Sequence, residues 1–471
     1  MNIFQNIAES KSNSLIYSEG SEYSYGQLYR DSKEFHVLQT INRHLVFIIA
    51  KNTYDCLIGY IGLLNANCVV AMITDSVSES MLNDLLERFK PSFIYMPQRT
   101  KNKKNNWVKK LRKGEYILYE TNVRIDYSLN ENLSMILMTS GSTGDPEFVR
   151  LSHSNIFSNT KKICEYLGIS DTDTAITTLP MSYSYGISII NTHLYMGASL
   201  ILTESSIVEK NFWDLMKDFK VTNFGGVPYT YDVLKKLKFE KIDTSSIRYL
   251  TQAGGKLSLD LLNYFEKACT QKKIKFFVMY GQTEAAPRMS YVPPKMLKKK
   301  IGSIGIAIPG GKFHLIDGKG KMINEVNVEG ELVYEGKNVC LGYAKNNYDL
   351  SLGDLNKGIL KTGDMAIFDF DGYFFITGRK KRFLKLFGNR VNLDQIEKKL
   401  RDAGFECVCT GNDEHLKIFT NIESNVKNII MYITKTFNLN KSVFSVTSIS
   451  EIPRNDSGKI LYSKLNEKRF V

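Results

Sequence analysis

The sequence predicts an α/β protein with a large N-terminal domain built from parallel-rich αβ-sheet subdomains and a small α+β domain at its C-terminus. Three observations predict this. Short apolar runs alternate with helical patterns through the first third of the chain, and the same rhythm returns between residues 134 and 285. After Ile301 the texture changes to short strands punctuated by glycine turns.

Leu45-Val-Phe-Ile-Ile-Ala50 is a continuous apolar run of strand length, and Tyr54 to Asn65 has helical periodicity. Cys68 to Met72 reads as the next strand, Ser80 to Phe89 as a helix and Ser92 to Tyr95 as a strand. In the second block, strands are expected at Met135–Met138, Ala175–Leu179, Ser199–Leu202, Arg248–Thr251 and Lys275–Met279, with helices such as Phe212–Phe219 and Leu259–Cys269 between them. In sheets of this kind ligands bind beyond the carboxyl ends of the strands. Gly310-Gly311, Asp317-Gly318 and Asp371-Gly372 mark hairpin turns, so residues from about 301 to 378 form a β-barrel-like region. A boundary near Gly378 separates residues 1–378 from a basic segment and a C-terminal domain over 379–471.

A chain of 471 residues exceeds one ordinary domain. Its net charge of +13 suits an anionic partner. The basic runs Lys101–Lys104 and Lys298–Lys300 lack the interleaved aromatics of a single-strand groove, so nucleic acid is not the expected partner. The seven cysteines are odd in number and scattered without zinc spacing, as expected of free thiols in a reducing cytoplasm. Residues 1–11 show no signal-peptide pattern, and no run is apolar enough to span a membrane.

Thr139-Ser140-Gly141-Ser142-Thr143-Gly144 directly follows a strand. Its hydroxyls, backbone N–H groups and glycines suit close wrapping of phosphate oxygens. It lacks the Gly-Lys-Ser/Thr ending of a P-loop, and alone it reads equally as an ordinary Ser/Gly loop. Further motifs follow in order: Tyr280-Gly-Gln-Thr-Glu-Ala285, Gly302-Ser-Ile-Gly305, Gly330-Glu-Leu332, Gly342-Tyr343, Thr362-Gly-Asp364, Gly378-Arg379 and Pro453 to Lys459. Taken singly, the Gly-Lys near the terminus reads as a solvated turn and Thr362-Gly-Asp364 as a hairpin.

The ordered set, over nearly the whole chain, resembles the acyl-adenylate-forming superfamily, which includes acyl-CoA synthetases, adenylation domains and luciferases. That resemblance implies an ATP-dependent ligase that makes an acyl-adenylate and passes the acyl group to a thiol, either coenzyme A or the phosphopantetheine of an acidic carrier protein. It implies that Thr139–Gly144 hold the ATP phosphates, that Tyr280 stacks on adenine beside Gly254 and Gly255, and that Thr283 meets the α-phosphate. Glu284 is the implied Mg2+ ligand, Asp364 with Arg379 the ribose site, and Lys459 the cation bridging carboxylate and α-phosphate. The resemblance also implies a mobile C-terminal domain pivoting at Lys381, with Gly388 lining the thiol tunnel. A fixed cation where charge builds stabilises the transition state more than the ground state.

The sequence departs from that pattern in places. Glu147 replaces the lysine usual after the phosphate loop; either Arg150 supplies the missing cation or ATP binding is weakened. Arg382 stands where an acidic residue is usual after the pivot, and Leu393 where proline is common. Ser184 occupies the position of the aspartate that pairs with an α-ammonium, so an acid without a free α-amino group is expected; the alternatives are a stand-alone amino-acid adenylating enzyme loading a carrier protein and a nucleotide-binding homologue with weakened catalysis. Tyr183, Ser184, Tyr185, Gly226 and Tyr229, with Tyr231, are the candidate acyl-pocket residues, and several tyrosine hydroxyls suit a short polar or aromatic acid.

Overall fold

The computed structural model describes residues 14–39, 43–100, 106–121, 123, 126–139, 147–386, 389–412, 414–437, 439–454 and 460–467. These form two compact units. One holds the described residues up to Lys312 together with Glu335–Leu360; the other holds Phe313–Tyr334 and the described residues from Lys361 onward.

The first unit contains two large sheets. In the eight-stranded sheet, Leu45–Ala50, Val69–Thr74, Phe93–Pro97 and Leu133–Thr139 form a parallel centre, with antiparallel strands at either side. In the nine-stranded sheet, Leu15–Ser18, Ser199–Leu202, Thr174–Ile176, Asn223–Gly226, Tyr249–Gln252 and Lys275–Gly281 run parallel, and Arg288–Val292 returns antiparallel at one side. The expected strands and helices are present, with ends shifted by a few residues; Tyr54–Asn65 and Ser199–Leu202 match to the residue.

Alternation sorts each strand between two cores. Val46, Ile48 and Ala50 face one cluster, and Leu45, Phe47 and Ile49 face another. The first cluster is shared: it takes residues from both sheets and from the helices Tyr54–Asn65, His153–Leu167 and Ser184–Met196. A helix between two sheets has no wet face, so it is apolar all round. Tyr54–Asn65 is buried at ten of its twelve positions. Lys210–Asp218 lies on the other face of the nine-stranded sheet and buries only Phe212, Leu215 and Met216, so it keeps a charged side. All seven cysteines are buried free thiols. No helix among the described residues is long and apolar enough to cross a membrane.

The second unit carries a five-stranded sheet whose outer pairs are antiparallel, Lys312–Ile316 with Met322–Ile323 and Ile359–Phe368 with Phe374–Arg379. It also carries a three-stranded sheet of Cys407–Gly411, Leu416–Thr420 and Phe444–Ser448, covered by Leu393–Asp402 and Val426–Phe437. Arg382 is built into this unit. Its guanidinium meets Asp394 and Glu397, each at 2.5 Å, and lies 4.0 Å from the ring centre of Tyr462. The basic residue that departs from the family pattern is thus neutralised by two carboxylates from the next helix.

Burial pushes the Glu397 carboxyl up from its ordinary value, against the lowering pull of Arg382 and the Cys409 amide. A carboxyl whose folded pKa is raised contributes its share of stability below the unfolded value and loses it as pH rises through the folded one. Arg382→Met is therefore expected to cost the unit about 3 kcal/mol at neutral pH and less near about pH 4, where Glu397 is protonated. Guanidinium unfolding of the two proteins at both pH values checks this; equal deficits at the two would contradict it.

Candidate active site

The parallel strands of the nine-stranded sheet bring several of the sequence candidates to one end. Tyr280 closes the strand Lys275–Gly281, and its hydroxyl accepts from Gln282 Nε2 at 3.3 Å. A short helical turn, Thr283–Ala285, follows. Thr283 Oγ1 lies 3.0 Å from Ser184 Oγ, at the start of the buried helix Ser184–Met196. Tyr343 donates its hydroxyl to Glu284 Oε1 at 2.6 Å, and the Cys340 amide donates to the Glu284 carbonyl at 2.8 Å. Two expected motifs, Tyr280–Ala285 and Gly342-Tyr343, are thereby joined.

The neighbouring strand ends make the wall beside this cluster. Gly254 has φ +81°, and a Cβ there would sit 2.6 Å from the Tyr183 hydroxyl. A Cβ on Gly225 would meet the Tyr185 hydroxyl at 2.7 Å. Gly226 and Gly255 back onto Thr230 and Pro228. Tyr185 Oη lies 2.7 Å from Thr251 Oγ1 and 2.9 Å from its carbonyl. Burial raises the Tyr183 hydroxyl to about 12, so it stays a proton donor at neutral pH. Tyr231 belongs to the core under the sheet, edge-on to Phe265, and Tyr229 is 59% exposed on the first turn of Pro228–Lys236.

The phosphate-loop candidates Ser140, Gly141, Ser142, Thr143 and Gly144 lie outside the described residues, as do Gly388 and Lys459. The strands flanking the loop pair antiparallel, and Thr139 Oγ1 donates to the Glu147 carbonyl at 3.2 Å. Glu147 forms a 3.1 Å ion pair with Lys345, just past the neighbouring strand Gly342–Ala344. Arg150 does not supply the missing cation. It is fully buried, and its guanidinium donates to the carbonyls of Leu341, Tyr343, Leu352 and Gly353 at 2.5 to 3.2 Å. The compensation expected from its closeness in sequence fails because strand alternation turns its side chain into the protein.

In the second unit, Asp364 and Arg379 are register partners across a hairpin. Arg379 Nε lies 3.0 Å from Asp364 Oδ1, and Asp364 is almost completely buried while Arg379 is half exposed. The Arg379 amide donates to Asp394 Oδ2 at 2.9 Å. Lys381 lies in the short helical turn Lys380–Arg382 that follows.

Two residues near the candidate site carried no motif. Lys345 neutralises Glu147, which only the pairing of distant strands reveals. Arg288 is wholly buried beside Tyr185; its one sequence signal is a charge at the head of an otherwise uncharged strand, Arg288–Val292. Among the described residues no cluster of three or more acidic, His or Cys side chains could hold a metal. One carboxylate, Glu284, still fits Mg2+, which takes one or two protein carboxylates beside phosphate oxygens and water.

The AMP-binding enzyme profile matches residues 4–344. The chain belongs to the AMP-binding enzyme family. Among curated relatives, it is 26% identical over 294 residues to the medium-chain fatty-acid–CoA ligase of Escherichia coli, covering 61% of this chain and 50% of that one. It is 30% identical over 278 residues to the probable 4-coumarate–CoA ligase 2 of Dictyostelium discoideum, covering 58% and 50%. This AMP-binding chain thus spans about half the length of these relatives. Its fold is that of the Bacillus subtilis O-succinylbenzoate coenzyme A synthetase in complex with AMP, at TM-score 0.81, 19% identity and coverage of 99% and 98%. ATP-bound MatB from Rhodopseudomonas palustris superposes at TM-score 0.79, with 20% identity and coverage of 99% and 98%.

Two substitutions test the framework. Gly254→Ala is expected to lower stability by about 1–3 kcal/mol through its left-handed backbone and to push Tyr183 aside. Arg150→Met leaves four buried carbonyls without their donor and is expected to cost about 3 kcal/mol or more. Urea midpoints check both; an unchanged midpoint for Arg150→Met would show that this guanidinium is not structural.

Proposed function

We propose that this chain is an AMP-forming acid–thiol ligase. The observation that carries the reading is the meeting of Thr283, Ser184, Glu284 and Tyr183 at adjacent strand ends in a chain of the AMP-binding family. A substrate carboxylate oxygen attacks the α-phosphorus of ATP, and pyrophosphate leaves. A thiol sulfur then attacks the acyl carbon, AMP leaves, and the thiol proton passes to solvent.

The chain's residues divide this work. The hydroxyls and amides of residues 139–144 cradle the phosphates, Tyr280 stacks on the base beside Gly254 and Gly255, and Asp364 with Arg379 holds the ribose. Thr283, oriented by Ser184, donates to the α-phosphate. Lys459 neutralises charge between carboxylate and phosphate, where a placed cation acts most strongly on the transition state. Glu284 would hold Mg2+, which when bound offsets phosphate charge. Residues 379–471 act as a lid pivoting at Lys381, with Gly388 in the thiol tunnel. The Glu147–Lys345 pair supports this reading over a weakened site, because Glu147 does not stand against the phosphates as an uncompensated charge.

The names of the curated relatives support coenzyme A as the thiol. The carboxylate expected opposite an α-ammonium is replaced by Ser184, whose hydroxyl is engaged with Thr283, and this supports an acid without an α-amino group.

Carboxylate-dependent ATP–pyrophosphate exchange is the test, run across short-chain, hydroxy, aryl, long-chain, dicarboxylic and amino acids. Exchange with one class is expected, with a loss of about 100-fold or more in Lys459→Ala. Exchange that survives this substitution, or none with any acid despite ATP binding, would overturn the proposal.

A further inference from the structure

Arg288 is a cation that the reaction above does not use. It is 2% exposed and forms no ion pair with any acidic side chain among the described residues. Its contacts are weak for a guanidinium. Nη2 donates to Ser188 at 3.2 Å, and Nη1 donates to the Tyr166 hydroxyl at 3.4 Å and lies 3.5 Å from Met279 Sδ. The guanidinium sits 4.9 Å from the ring centre of Tyr185. Its Nε is buried without a hydrogen-bond partner. The hydroxyl of Tyr249, on a strand of the same sheet, is also buried without a partner and lies within the electrostatic reach of Arg288.

An arginine stays charged when buried, and a buried charge without a counter-charge is costly. Two long hydrogen bonds and the Tyr185 ring offset part of that cost, and no acidic side chain among the described residues supplies a counter-charge. Burial holds the Tyr185 and Tyr166 hydroxyls above their ordinary value, so both remain neutral. Burial also pushes the nearby His193 down to about 4, so it too is neutral at pH 7. The location is informative. Tyr185, which the guanidinium covers, follows Ser184 in the chain, and Ser184 is the residue paired with Thr283. Arg288 itself begins the strand that returns from the Thr283–Ala285 turn.

We propose that Arg288 binds a second, distal carboxylate of the substrate, so that the acid activated by this chain is a dicarboxylic acid. The inference rests on the acid-activation reading above and adds the substrate class to it. One carboxylate reacts beside Thr283 and Ser184. The other end passes Tyr185 and is met by the orphaned Nε–H and its neighbouring Nη–H, the edge of a guanidinium that donates two parallel hydrogen bonds to a carboxylate.

The test compares matched acids on the full chain: succinate, glutarate and adipate against butyrate, valerate and hexanoate, in ATP–pyrophosphate exchange. At least one dicarboxylate is expected to exceed its matched monocarboxylate by about 100-fold in kcat/KM, the scale of a desolvated charge pair. In Arg288→Met that ratio falls towards one, and Arg288→Lys restores part of it. Wild-type preference for the monocarboxylates, or an equal loss of both classes in Arg288→Met, overturns the assignment. Should no acid support exchange, the acid-activation reading fails by itself, and calorimetric titration of the same six acids into wild-type and Arg288→Met protein still decides the site. Tight binding of a dicarboxylate lost in the variant upholds it, and binding blind to the second carboxylate rejects it. The wild-type comparison needs no variant, so misfolding of Arg288→Met leaves the test intact.

Discussion

The first unit depends on one constraint: two sheets share a single layer of helices. Tyr54–Asn65, His153–Leu167 and Ser184–Met196 contribute to the cluster that also takes one face of each sheet. Burial on this scale is the dominant favourable term in folding. It also excludes polar side chains from both faces of these helices unless each finds a partner. The few polar residues there are accordingly bonded, as with Tyr60 to Asn191 at 3.0 Å and His193 to Asn223 at 3.1 Å. Because Ser184 begins one of these helices, its hydroxyl is held against Thr283 by the packing of the whole layer. The candidate site is thus anchored on a packed helix.

Two buried arginines and one partly buried one show three ways of settling a charge inside a protein. Arg382 is neutralised by carboxylates of the following helix. Arg150 is solvated by four backbone carbonyls and serves as a clamp between the strands Glu147–Ser152 and Gly342–Ala344 and the loop beyond. Arg288 has neither, only long contacts to hydroxyls and a thioether. An arginine that is fully satisfied within the fold is structural. Arg288 is the incompletely satisfied one, and it is the one for which an anion from outside is proposed.

The same comparison explains the phosphate-loop departure. Lys345, just past the strand Gly342–Ala344, reaches Glu147 at the start of the strand that pairs with it. The pair is partly exposed, so its energetic weight is small. Its consequence is electrostatic: the Glu147 carboxylate has a cation 3.1 Å away.

By itself the sequence determined the elements and the order of the motifs. Period and run length are local properties, so the strands at Leu45–Ala50 and Ser199–Leu202 and the helix Tyr54–Asn65 were legible without any tertiary information. The Thr362-Gly-Asp364 and Gly378-Arg379 motifs were legible too, and hairpin register then set Asp364 against Arg379. Only the tertiary structure decided the fate of the charges. Whether Arg150 faces the loop or the interior depends on which neighbours its strand acquires. The partner of Glu147 comes from just beyond a strand almost two hundred residues away, and the incomplete bonding of Arg288 is a property of five surrounding side chains from four separate elements. Desolvation and pairing are set by packing in three dimensions, which no local pattern encodes.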